Sequence, residues 1–271
     1  MRKNMRGYIY VNLLLVVLIA LGFVLSGGLI LSEESSSVGK ITERYTLVDK
    51  EASLPNQTLQ LSSLEFIAQV CEGGGYDIAL VIDKSGSVVP YIDQMLIDIN
   101  SFVDSFSGKS TQFSVTIFSS NAEILIPDFT DNLSMVKSRI SSISGGGVTN
   151  WQDALIKAKS TLLSASNRPS FPDIVIFASD GNPNTINAFL ENKSWEASTE
   201  ALSAATPIAN EIKTDGARII TYGIGKAINQ QNLEAISGSI PKVTGDTDVI
   251  ITDFANFGTA LQSLVANICG P

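Results

Sequence analysis

From Asp77 onwards the sequence alternates short unbroken apolar runs with longer stretches in which apolar residues recur every three or four positions. The run Ile78–Ile82 in "DIALVID" has no polar interruption, as expected of a strand buried on both faces. "YIDQMLIDINSFVDSF" then sets Ile92, Met95, Leu96, Ile99, Phe102, Val103 and Phe106 at helical spacing, so one stripe must pack on a sheet. "QFSVTIFSSNAEILIPDF" predicts two strands joined at a Ser-Ser-Asn turn, a hairpin inside an otherwise alternating order. Leu133, Val136, Ile140 and Ile143 mark another helix, and after "SGGGVTN" a further one runs from about Trp151 to Leu163. The strands "DIVIFASDG" and "ARIITYGIG" flank the helical stretch "EASTEALSAATPIANEIKTDG", which Pro207 should kink or divide. A short helix "NQQNLEAIS", a strand "DVIITD" and a last helix Phe254–Cys269 follow. The pattern predicts an α/β fold: a doubly wound, Rossmann-like open sheet, mostly parallel, with one antiparallel edge strand and helices on both faces.

The chain before this region reads differently. Residues 8–31 carry no charge, and about 20 apolar residues suffice to cross a bilayer as a helix. Arg2, Lys3 and Arg6 precede the stretch while Glu33 and Glu34 follow it, so the positive-inside bias puts the N-terminus in the cytoplasm and the rest outside, extracellular or periplasmic. The segment serves as a signal anchor, or as a signal sequence if cleaved, in which case the protein is secreted. The apolar run continues past Ser26-Gly27-Gly28 with no A-x-A-like site after it, which favours the anchor. Residues 32–70 are Ser-rich and read as a stalk. The expected organisation is a basic leader at 1–7, a transmembrane helix at 8–31, a stalk at 32–70 and a folded domain at 71–271.

Cys71 and Cys269 bracket that domain. In an oxidising compartment they are expected to form a disulfide bond, and closing so long a loop stabilises by about 5 kcal/mol in the chain-entropy model. The alternative is two unrelated buried thiols. Sequons at Asn56, Asn132 and Asn192 matter only in a host that glycosylates them.

Composition narrows the chemistry. The 271-residue chain has 18 Lys and Arg against 27 Asp and Glu, a net charge of −9, which argues against nucleic acid as a partner. It contains no histidine, which excludes Ser-His-Asp and Cys-His catalysis and imidazole-dependent zinc sites. "GKS" at 108–110 lacks the upstream glycine of a phosphate-binding loop, so nucleotide binding is unsupported.

In an open parallel sheet, function gathers at the carboxyl ends of the strands. Three polar groups fall there: Asp83, Ser85 and Ser87 after the first strand, Thr149 in the glycine-rich turn "GGGVTN", and Asp180 after the strand Ile174–Ala178. Two carboxylates and three hydroxyls suit a hard ion, Mg²⁺ or Mn²⁺ before Ca²⁺. Taken singly, such residues before helices are helix caps, and Asp153 reads as a first-turn acid rather than a ligand. Trp151, Asn182 and Trp195 are candidates for the rim of the site, although each tryptophan could equally be a packing residue.

"DKSGS" matches the D-x-S-x-S motif, and with the threonine of "GGGVTNWQDAL" and the aspartate of "SDGNP" the sequence over roughly 75–269 resembles the von Willebrand factor type A (vWA) domain. The resemblance implies a metal-ion-dependent adhesion site (MIDAS) formed by Asp83, Ser85, Ser87, Thr149 and Asp180, with no departure from the motif. It also implies a vacant coordination position that takes a Glu or Asp from a protein ligand. The function expected is therefore a membrane-anchored, extracytoplasmic adhesion or interaction module and not an enzyme. An envelope or pilus assembly component is the alternative, and a metal-dependent hydrolase a more distant one. In relatives with mobile sites, ligand binding is coupled to a shift of the last helix; a Cys71–Cys269 bond would restrict that shift and pass load into the stalk.

Overall fold

The computed structural model describes residues 75–187, 198–240 and 248–269, with side chains as far as Val265. The expectations for 1–70, Cys71, Trp195, Asn56, Asn192 and the side chain of Cys269 lie outside what is described. Among the described residues no helix is long and apolar enough to cross a membrane, and the stretch 8–31 is not among them.

The apolar run of the first strand, β1 (Asp77–Asp83), is buried along its entire length because strands pair with it on both edges. The other strands are β2 (Gln112–Phe118), β3 (Ala122–Thr130), β4 (Asp173–Ser179), β5 (Arg218–Ile224) and β6 (Val249–Thr252). They form one sheet in the order β3-β2-β1-β4-β5-β6. Only β3 runs antiparallel, paired with β2 as the expected hairpin at one edge. The chain leaves β1 toward β2 and β3 and later returns to the opposite side of β1 with β4, so strand order reverses between β1 and β4. A crevice at the carboxyl ends of strands forms at such a reversal.

Among the described residues six α-helices cover the sheet: α1 (Ile92–Asp104), α2 (Leu133–Ile140), α3 (Trp151–Leu162), α4 (Thr199–Thr214), α5 (Gln230–Ile236) and α6 (Phe257–Cys269). Side chains of a strand alternate between its faces. Ile78, Leu80 and Ile82 of β1 join one core with Met95, Ile99 and Phe102 of α1, Val136 and Ile140 of α2, and Phe257 and Leu261 of α6. Ala79 and Val81 join the other, with Trp151 and Leu155 of α3, Ala205 and Ile212 of α4, and Leu233 of α5. Both faces are thus buried, which is why the strands read as continuous apolar runs.

Two sequence expectations are corrected. Pro207 lies inside α4, which runs without division. The proline and Ser203, whose carbonyl loses its N–H partner, both lie on the exposed side, where water can replace the missing bond, while Ala201, Ala205 and Ala209 pack inward. The last helix begins at Phe257 rather than Phe254: Asp253 accepts from the backbone N–H of Asn256, and Phe254–Asn256 form a turn.

Candidate functional site

β1 and β4 are adjacent and in register, Ile82 opposite Ala178, so their last residues bring Asp83 level with Ser179 and next to Asp180. Asp83 is fully buried. Its Oδ1 accepts from the Ser85 backbone N–H at 2.7 Å, a tight turn that aims the following loop upward, and its Oδ2 accepts from the Ser179 hydroxyl at 2.5 Å. The bond to Asp83 ties the two strand ends together, and the Gly181 carbonyl, 2.9 Å from the same hydroxyl, is its alternative acceptor.

The remaining candidates converge on the same point. The Ser85 and Ser87 hydroxyl oxygens are 3.2 Å apart, and the Ser87 hydroxyl donates to Asp180 Oδ1 at 2.8 Å across 93 residues of sequence. Thr149 is buried, and its Oγ1 stands 3.6 Å from the point where a Cβ on Gly181 would lie, beside Asp180. All five predicted residues are therefore gathered at the crevice between β1 and β4.

The glycine turn before Thr149 is laced to the loop after β1. Gly146 N–H donates to the Lys84 carbonyl at 2.7 Å, and Gly86 N–H to the Gly147 carbonyl at 2.9 Å. Gly147 has φ +98, and a Cβ there would come within 2.7 Å of the Ser120 hydroxyl, so glycine is required by both backbone and space. The cap of α3 is Asn150, whose side chain accepts from Asp153 N–H, which leaves Thr149 outside that duty. Asp153 lies in the first turn of α3, as expected, and accepts from the Ala122 N–H at 2.7 Å.

Sequence reasoning missed Asn184. Its Oδ1 accepts from the Thr149 N–H at 2.8 Å and its own N–H donates to the Thr149 carbonyl at 3.0 Å, so both backbone polar groups of Thr149 are fixed by one residue. An asparagine in the polar stretch "GNPNTIN" gives no signal that separates it from a turn residue. The rim candidates fare differently. Trp151 is not at the rim: it is fully buried, with its ring edge-on to Phe177 at 5.3 Å. Its helical spacing with Ala154, Leu155 and Ala158 was the available signal. Asn182 is half-buried and donates to the Ala227 carbonyl at 2.7 Å while accepting from Asn229 and Asn232, so it ties the loop after β4 to the start of α5.

Electrostatics favour a cation here. Burial, and after it the charge of Asp180, push the Asp83 carboxyl up to about 7, and burial also raises Asp180. Two carboxylates this close and this dry disfavour each other's ionised form unless a positive charge stands between them. Among the described residues no three His, Cys, Asp or Glu side chains cluster. A bound ion would therefore complete its shell with the hydroxyls of Ser85, Ser87 and Thr149, an all-oxygen set that fits a hard divalent cation.

Comparison with known proteins agrees with this architecture. The family model of the von Willebrand factor type A domain matches residues 77–267. The thrombospondin-related anonymous protein of Plasmodium falciparum is 24% identical over 185 residues, covering 62% of this chain and 29% of that protein. Two solved structures share the fold. Proximal thread matrix protein 1 from the mussel byssus, with a zinc-occupied MIDAS motif, superposes with a TM-score of 0.56 at 23% identity, over 74% of this chain and 47% of that one. The manganese-loaded TRAP protein of Plasmodium vivax superposes with a TM-score of 0.55 at 23% identity, over 74% of this chain and 75% of that one. The chain spans less than a third of the length of the curated relatives it matches. With a family match extending over most of the chain and the fold to go with it, this protein belongs to the von Willebrand factor type A domain family.

Proposed function

We propose that this chain is a membrane-tethered, extracytoplasmic binding module that holds a protein partner through a divalent cation, Mg²⁺ or Mn²⁺. Asp83, Ser85, Ser87, Thr149 and Asp180 are the residues that hold the ion, and a Glu or Asp of the partner takes the remaining coordination position. The observation that carries this reading is the convergence of two buried carboxylates and three hydroxyls from three separate loops on one crevice. The zinc-occupied MIDAS motif of one related fold and the manganese-loaded state of another support a divalent ion here. The ion supplies charge to an incoming carboxylate, while the protein's own contribution is to hold the oxygens and keep water from the Asp83 side of the site. Binding rather than catalysis follows from the absence of histidine and from the use of both carboxylates to hold the ion, which leaves no evident general base. The basic leader and the uncharged stretch 8–31 support a tether with the domain outside the cytoplasm.

The test is calorimetry of the full chain with MgCl₂ and MnCl₂, followed by partner capture from intact cells with and without EDTA. Cation binding that is lost in Asp180→Ala, and capture that EDTA abolishes, are the expected results. Capture that persists undiminished in EDTA would refute the reading.

A further inference from the structure

An apolar ledge with an aromatic pair continues the loop that carries two of the candidate cation-site residues. The loop that carries Ser85 and Ser87 continues through Val88, whose N–H donates to the Ser85 carbonyl, into a short 3-10 turn at Val89–Tyr91. Val88 is buried, but Val89 is 45% and Tyr91 49% exposed, the reverse of what an apolar pair costs least to do. Val89 borders the glycine turn: a Cβ on Gly145 would lie 2.8 Å from its Cγ2. Tyr91 is stacked on Phe254, ring centroids 4.1 Å apart and planes 13° from parallel, so one face of its ring is fixed. Phe254 in turn lies 4.0 Å from where a Cβ on Gly225 would stand, just after β5 and next to the exposed Lys226. Ala227, the next residue, accepts from Asn182 of the loop after Asp180. Lys84, half-buried, lies between Asp83 and Ser85. In a chain with a net charge of −9, these two lysines stand on the loops that border the site.

We infer that the exposed Val89–Tyr91 ledge, stacked on Phe254, is the specificity surface of the cation site and takes an aliphatic or aromatic side chain of the partner close in sequence to its acidic residue. The inference rests on the proposed cation-dependent binding and deepens it by naming the partner's chemistry. A ring already held by stacking gives up little rotamer freedom when a ligand covers it, which favours its use in recognition. Lys84 and Lys226 complement an acidic segment and disfavour a basic one.

The test is selection of a random peptide library on the full chain in MgCl₂, with elution by EDTA. Enriched peptides are expected to carry Asp or Glu with Leu, Ile, Phe, Tyr or Trp within about three positions. Replacing that apolar residue by Gly should weaken binding about tenfold on the native chain and less than about twofold on Tyr91→Ser or Val89→Ser. The melting temperature without ligand identifies which of the two variants is folded. Enrichment of acidic peptides with no apolar preference overturns the ledge and leaves the cation reading standing. Failure to enrich any EDTA-eluted acidic peptide overturns both.

Discussion

At the scale of single residues, the site is governed by the energy of burying Asp83. Its carboxyl is raised from 3.8 to about 7, so ionising it costs the folded chain, and that cost grows as pH rises from about 4 toward 7. The proposed cation needs the ionised form, so below about 7 it must displace a proton. Affinity for Mg²⁺ should accordingly fall by up to about tenfold per pH unit below 7 and level off above it, as calorimetry between pH 5.5 and 8.5 would show. Asp83→Asn should remove this dependence along with most of the affinity. It should also keep or raise the melting temperature of the metal-free chain near pH 7, since Ser179 can turn its hydroxyl fully to Gly181 and accept from the introduced amide. Asn184 acts one step further out. Asn184→Ala leaves the buried Thr149 N–H without its acceptor, a loss of about 1–3 kcal/mol. Part of that loss should appear as weaker cation binding, since Thr149 is freed to move its hydroxyl away from the crevice. An unchanged cation affinity in a folded Asn184→Ala variant would assign Asn184 to the fold alone.

At the scale of elements, β1 is held at both ends, the lower one through an ion pair. Asp77 is fully buried and is met by Arg168 through Nε at 2.8 Å and through the backbone N–H at 2.7 Å. Arg168 also donates to the carbonyls of Tyr76 and Ser110, and its guanidinium lies 3.8 Å from the centre of the Phe171 ring. Arg168→Ala would leave a buried carboxylate without its counter-charge. It should destabilise the domain by about 3–5 kcal/mol in urea unfolding, with part of the loss recovered in the Asp77→Asn, Arg168→Ala double variant. The sequence made β1 and its upper cluster legible, because a buried apolar run that stops at Asp-x-Ser-x-Ser puts three oxygen-bearing side chains where a sheet opens its crevice. The lower clamp was not legible: Arg168 follows Asn167 in a polar loop, and nothing local ties it to Asp77, 91 residues away. Asn184 was hidden for the same reason, since its role comes from a contact made only when the chain folds. Pro207 does not divide its helix as one of the two expected outcomes had it, since it sits on the exposed side, where water reaches the Ser203 carbonyl. Trp151 reads as a rim residue only through its neighbour Thr149, although its apolar partners at helical spacing mark it as core.

At the scale of the whole molecule, the two ends of the described domain decide whether a movement of the last helix is felt at the crevice. The chain enters the described domain at Gly75, where a Cβ would lie 1.6 Å from the Ser110 carbonyl oxygen, so the entry is seated against the lower edge of the sheet with no room for a side chain. It leaves through α6, which packs Phe257 and Leu261 on the same face as α1, and Cys269 ends that helix. Cys71 precedes the entry by a few residues. If the two cysteines pair, the last helix and the first strand share one covalent anchor, and any slide of α6 must drag the entry with it. That sets an expected result: mild reduction of the full chain, short of unfolding as judged by circular dichroism, should change Mg²⁺-dependent peptide affinity by about threefold or more, because α6 gains freedom that the site loop feels through Phe254 against Tyr91. Thiol labelling before and after reduction establishes whether the bond was present. If labelling shows that the bond was present and its reduction leaves the affinity unchanged, the bond serves stability alone.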